Sequence, residues 1–193
     1  MLKVMKKSWL GKIFFAAKKS RPAAAHSDEA DAAGLNCVDA EAQFNRGLQC
    51  ATGAGAEQNY AQAADWYRKA AAQSHGLAQF NLGVMYARGQ GVVRDDAQSL
   101  AWFDRAAHLG DAGGQFHMGQ NCQRASLAGL PADAPEARIE AYKWFRLAAA
   151  QGYKDSEGAH APLTIKMTRE DVAEAIQRVA RFVATAAPLP LPA

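Results

Sequence analysis

The sequence predicts an all-α protein: an α-solenoid of three helix-turn-helix repeats closed by a C-terminal capping helix. Three observations carry this. Ala42–Ser74 and Ala78–Asp111 follow the same pattern of small, aromatic and glycine residues at a spacing of 36, and Gly114–Tyr153 repeats it a third time. Each copy holds two apolar patterns at helical spacing around a glycine-bearing turn. Of the 193 residues, 44 are alanine, a strong helix former too small to fill a thick core alone. A helix pair of this size cannot bury its apolar face unaided, so the pairs are expected to stack into one solenoid, in a right-handed superhelix.

Residues 1–21 carry Lys3, Lys6, Lys7, Lys12, Lys18, Lys19 and Arg21 and no acid. Lys12 interrupts the apolar run, leaving "IFFAA", too short for a secretory core and far too short to span a bilayer. As a helix, Leu2, Met5, Trp9, Ile13 and Ala16 would share a face. A surface-active amphipathic segment docking on an anionic membrane, a solvated basic tail and an atypical export signal are the readings open here. Residues 22–38, small, polar and aperiodic, read as a flexible linker. The rest of the chain holds 15 basic against 19 acidic residues, a mildly acidic body that argues against nucleic-acid binding.

The solenoid domain is expected over 39–185. In the second copy Phe80, Gly83, Val84 and Ala87 mark the inner face of a first helix that "RGQG" at 88–91 ends. Asp95 opens a second helix packing through Leu100, Trp102, Phe103, Ala106 and Ala107. The first copy repeats this with Phe44, Gly47, the "TGAG" turn, Trp66, Tyr67, Ala70 and Ala71. The third uses Phe116, Gly119, Trp144, Phe145, Ala148 and Ala149. Its tryptophan lies 42 residues after Trp102, so six residues have entered, and Pro131 and Pro135 predict a longer loop there. Gly47, Gly83 and Gly119 would let paired helices approach; Trp66, Trp102 and Trp144 would fill the space between layers. "KDSEGAHAPLTIK" reads as a truncated fourth first-helix. Over 168–185 comes the cap, opened by Thr168 and Asp171 in the manner of a capping box, with Val172, Ile176, Val179 and Val183 inward and Glu170, Glu174, Arg178 and Arg181 outward. Residues 186–193, "APLPLPA" at their core, are too proline-rich to continue it and read as a disordered tail.

The pattern in Leu82, Gly83, Tyr86, Gly89, Gly91, Val92, Asp95, Trp102, Ala106, Ala107 and Gly110 resembles the Sel1-like repeat (SLR), a relative of the tetratricopeptide repeat, over residues 40–185. Arg46 stands where a leucine belongs, as suits a solvent-facing end, and Cys50 and Cys122 replace the tyrosine. The resemblance implies a protein-interaction scaffold or adaptor in bacterial signalling or complex assembly, binding a peptide or protein segment in the groove of the stack. A regulatory or envelope factor docked through residues 1–21 is the alternative. The compartment implied is cytoplasmic, with peripheral attachment to the inner membrane and periplasmic export as other readings.

Nothing in the sequence points to catalysis. Cys37, Cys50 and Cys122 are an odd set without a close pair, and Cys50 and Cys122 read as small buried thiols. The five histidines never take metal-ligand spacing; His75 and His108 read as solvated residues near helix C-termini. No nucleophile elbow, zinc-protease or phosphate-loop motif occurs, so no cofactor and no enzyme is expected. Cell-wall or β-lactam hydrolysis, suggested for cysteine-rich relatives, would need a cysteine pair per repeat that this chain lacks. Register places Asn45, Asn81 and His117 at one position of three successive first helices, a polar column for the backbone of an extended peptide, with Arg88 beside it for an acidic ligand. The competing structural reading is that Asn45 and Asn81 bond neighbouring helix ends.

Overall fold

The computed structural model describes residues 39–54, 57–128 and 133–186. The basic segment, the linker, Cys37, Pro131 and the C-terminal tail lie outside the described residues. Among those described there are eight helices and no strand: α1 (Ala40–Thr52), α2 (Tyr60–Ala72), α3 (Gly76–Arg88), α4 (Asp96–His108), α5 (Ala112–Ala128), α6 (Ala134–Ala150), α7 (Ala161–Thr164) and α8 (Arg169–Ala186). They pair as α1/α2, α3/α4 and α5/α6; α2 meets α3, α4 meets α5, and α8 closes on α6. This is a solenoid of helical repeats.

Caps recur with the period. Asp39, His75 and Asp111, spaced by 36, open α1, α3 and α5 by accepting the backbone N–H of Ala42, Ala78 and Gly114. His75 is therefore an N-cap held by its Nδ1, not a solvated C-terminal residue; its ring also stacks on Phe44 at 4.6 Å and meets Glu41 at 3.0 Å. Gly53 and Gly89 end α1 and α3 in the left-handed region, φ 71° and 66°.

Within each repeat the first helix presents a glycine to an aromatic ring of the second. A Cβ on Gly47, Gly83 or Gly119 would lie 2.6–2.7 Å from Tyr67, Phe103 or Phe145. Those rings, buried at 3%, 7% and 1% exposure, fill the pairs. The tryptophans, one residue earlier and so about 100° around the helix, do something else. Trp144 is buried against Ala107, Val179 and Phe182, and Trp102 packs half-buried against the cluster that the first repeat and α3 build together. Trp66 has no repeat before it and sits half-buried under the Lys69 ammonium, 4.1 Å from its ring centroid. Leu100 likewise faces outward. Ser99 takes the inner position, and its hydroxyl donates to the Gly83 carbonyl at 2.8 Å.

A second periodic set, Gln43, Gln79 and Gln115, is buried at every step. Gln79 and Gln115 donate to the Ala71 and Ala107 carbonyls of the preceding repeat, tying one pair to the next. Gln73 and Gln151 donate in turn to the side-chain oxygens of Gln43 and Gln115. The corresponding position in the second repeat is Leu109, 49% exposed, and the Gln79 Oε1 is left buried without a partner.

The six added residues of the third repeat chiefly lengthen helices rather than a loop. α5 and α6 have 17 residues each against 13 in the earlier pairs, and Pro135 lies in the first turn of α6, where its missing N–H costs nothing. The fourth first-helix survives as the single turn α7, anchored by buried Leu163. α8 opens with the reciprocal capping box, Thr168 N–H to Asp171 and Asp171 N–H to Thr168. Its inward face is Val172, Ala175, Val179 and Phe182, with Phe182 edge-on to Trp144 at 5.5 Å. Ile176 and Val183 are instead 53% exposed. Arg178 turns inward too, joining Glu136 and Glu140 of α6 and Glu174 of its own helix. Those hydrogen bonds hold the guanidinium strongly protonated.

Candidate functional site

The face carried by successive first helices is built from positions one period apart, and the four sequence-selected side chains have different surroundings there. Asn45 on α1 is exposed and donates to Glu41 one turn back at 3.4 Å. Asn81 on α3 is buried and stands near the Tyr67 side chain of the preceding repeat, where it partly offsets the rise that burial gives the Tyr67 pKa. It thus lies at the joint between repeats. His117 on α5 lies flat on Phe103, centroids 4.2 Å apart and planes 5° apart, with Phe80 and Phe116 at 5.9 and 6.1 Å. Burial, then the fields of Arg124 and Arg88, push its pKa down to about 4, so the ring is neutral at physiological pH.

Arg88 ends α3 and is exposed. The sequence reading omitted its counterpart Arg124, exposed on α5, exactly one period later. Asn81 to Arg88 and His117 to Arg124 are both seven-residue steps, two helical turns, so each pair shares a face of its helix. The signal was present in the 36-residue register. Arg124 acts on Asp96 through its charge, while both Asp96 oxygens are held by Arg94 at 3.1 Å.

At the N-terminal end of the stack, Arg46, Cys50, Gln62, Asp65, Trp66 and Lys69 line an open depression of about 340 Å³. Cys50 and Cys122 are half-buried free thiols, and burial first, with Glu140 adding, raises Cys122 to about 11. Among the described residues no cluster of three histidine, cysteine or carboxylate side chains could hold a metal ion. No described helix is long and apolar enough to cross a membrane.

A repeat solenoid whose periodic positions expose polar and charged side chains along one face is the class of a protein-interaction module. The Sel1 repeat model matches residues 40–75, 76–111 and 112–153, and the chain belongs to that family. Sel1 repeats generally serve as protein–protein interaction modules, typically without catalysis. Among solved structures, the chain is similar to c5321, a protective antigen present in uropathogenic Escherichia coli strains and displaying an SLR fold. That likeness has 26% identity and a TM-score of 0.63 over 81% of this chain and 34% of that one. It is also similar to a Sel1 repeat protein from Oxalobacter formigenes, 34% identical with a TM-score of 0.54, over 63% of this chain and 87% of that one. The chain therefore spans about a third of the length of c5321. No curated protein matches it in sequence.

Proposed function

We propose that this protein is a scaffold or adaptor that holds an extended peptide or protein segment across its first helices, serving signalling or complex assembly. The observation that carries this reading is the pair of exposed arginines one period apart on successive first helices, Arg88 on α3 and Arg124 on α5, with the half-buried His117 seven residues before the second. An extended segment crossing a solenoid meets equivalent side chains at each step, which suits a periodic surface better than a single pocket would. The test is selection of 12-residue peptides from a random displayed library on the immobilised full chain, followed by titration calorimetry of the selected peptides. Saturable 1:1 binding that survives deletion of residues 1–21 is expected. Failure to select any peptide would overturn the reading.

The seven basic residues in 1–21 support a second attachment, to an anionic membrane surface. Sedimentation with phosphatidylserine vesicles should require residues 1–21, and equal sedimentation of the chain lacking them would exclude that role.

A further inference from the structure

We propose that the outer face of α8 is a self-association surface, on which a second copy of this chain docks its own α8 in antiparallel orientation.

α8 is apolar on two sides. Val172, Ala175, Val179 and Phe182 close the stack. Ala173, Ile176, Ala180 and Val183 lie on the other side and are exposed, the two branched ones at 53%. Their spacing of three, four and three residues is that of the a and d positions of a coiled-coil seam. A helix that only had to close the last repeat would carry a polar outer face. Instead the charges stand beside the stripe, Glu170 near its start and Arg181 near its end, both exposed. The Arg181 side chain makes only long contacts on its own helix, 3.5 Å to Glu174 and 3.4 Å to Gln177.

The stripe is complementary to itself in size. In an antiparallel pair the a positions of one helix face the d positions of the other. Setting Ala173 against Val183 of the second copy sets Ile176 against its Ala180, so every layer holds one alanine and one branched side chain. The helix axes can then approach to the short end of the usual range of about 8–10 Å. A parallel pair would set each alanine on its own copy and leave gaps between the Ile176 and Val183 layers. Charge selects the same orientation. A parallel pair brings Arg169 to Arg169 and Glu170 to Glu170, whereas an antiparallel one separates them and carries Glu170 toward Arg181 of the second copy at both ends of the seam. A foreign helix has no reason to match this pattern. With 18 residues α8 is about 27 Å long, and so narrow a seam falls below the about 1,200–2,000 Å² of a stable interface, so the pairing is weak and reversible.

Sedimentation velocity of the full chain from about 2 to about 300 μM should show a reversible monomer–dimer equilibrium with a dissociation constant on the order of 10–100 μM. Ile176→Glu and Val183→Glu, each placing a charge on the seam at an exposed site, should leave only monomer at an unchanged melting temperature. Arg181→Glu should weaken the dimer about tenfold, and adding Glu170→Arg to it should restore the parent affinity to within about threefold, because the two residues meet only across the seam. In the unmodified chain, amide exchange over residues 173–184 should slow as concentration rises across the same range, a readout that needs no variant. Monomer throughout that range, or a dimer indifferent to both glutamate variants, would overturn the proposal. A double variant no tighter than Arg181→Glu alone would overturn the antiparallel orientation. A monomer whose Ile176 and Val183 resonances move on adding the selected peptides would overturn the pairing in favour of a foreign segment, and one in which they move only on adding phosphatidylserine vesicles would overturn it in favour of a lipid surface.

Discussion

Replacing Asp111 with asparagine should stabilise the protein at neutral pH and remove a pH dependence. Asp111 caps α5 by accepting the Gly114 N–H at 2.7 Å and lies at the joint where Gly76 of α3 approaches, its Cβ 3.6 Å from where a Gly76 Cβ would be. Burial pushes its carboxyl from 3.8 to about 6; the N–H groups of Gly114 and Gly113 and the nearby His75 oppose this without overcoming it. Because the folded pKa is the higher one, the native state binds more protons than the unfolded chain between those values, and stability falls as pH rises from about 4 to about 6. A shift of roughly two units is worth at most about 3 kcal/mol, all of it lost above the folded pKa. Asparagine caps a helix as well as aspartate and carries no charge to bury. Urea unfolding of parent and Asp111→Asn at pH 8 and pH 4 should therefore show the variant about 1–3 kcal/mol more stable at pH 8, with the difference closing at pH 4. Since other titrating groups are common to both proteins, the difference isolates this carboxyl. A variant less stable than the parent at pH 8, or a difference independent of pH, would refute the reasoning.

Other expectations follow from the packing. Leu109→Gln restores the partner that Gln43 and Gln115 have and should stabilise by about 1 kcal/mol, read as a raised melting temperature, because the buried Gln79 Oε1 would gain a donor. Gly83→Ala places a methyl 2.7 Å from the Phe103 ring and should destabilise by about 1–3 kcal/mol; an unchanged urea midpoint would show that the ring has room to move. Arg178→Ala leaves Glu136, Glu140 and Glu174 facing one another without their shared cation. Amide exchange in α8 should then accelerate ahead of α1–α4, and uniform protection across the chain would show that the cap is held by Val179 and Phe182 alone.

Much of this architecture was legible because the constraints repeat. A glycine that admits a ring leaves the same mark three times, and register recovers Gly47, Gly83 and Gly119 without knowledge of the ring. Choosing between adjacent aromatics is harder. Trp66 and Tyr67 both read as packing residues, and which of them faces the glycine depends on a rotation of about 100° that composition does not encode. The cap illustrates the same limit. α8 offers one apolar stripe through Ile176 and Val183 and another through Ala175 and Phe182, and the edge contact of Phe182 with Trp144, a tertiary event, selects the second. Gln43, Gln79 and Gln115 gave no sign of their burial, because a glutamine's value inside a core depends on a carbonyl supplied by another helix. In the candidate site the error was one of omission: Arg124 follows Arg88 by one period. Asn81 looked like its neighbours in the column, and its burial depends on how α3 packs on the preceding repeat.

The account's central claim, the proposal that an extended peptide segment lies across the first helices, is tested most directly by NMR mapping of the full chain with a selected peptide. The claim predicts that shifts concentrate on the Arg88 and Arg124 guanidinium resonances, the His117 ring and the backbone of α3 and α5. Shifts gathered instead around Arg46, Trp66 and Lys69, or around Ile176 and Val183 on the cap, with Arg88 and Arg124 unmoved, would contradict it.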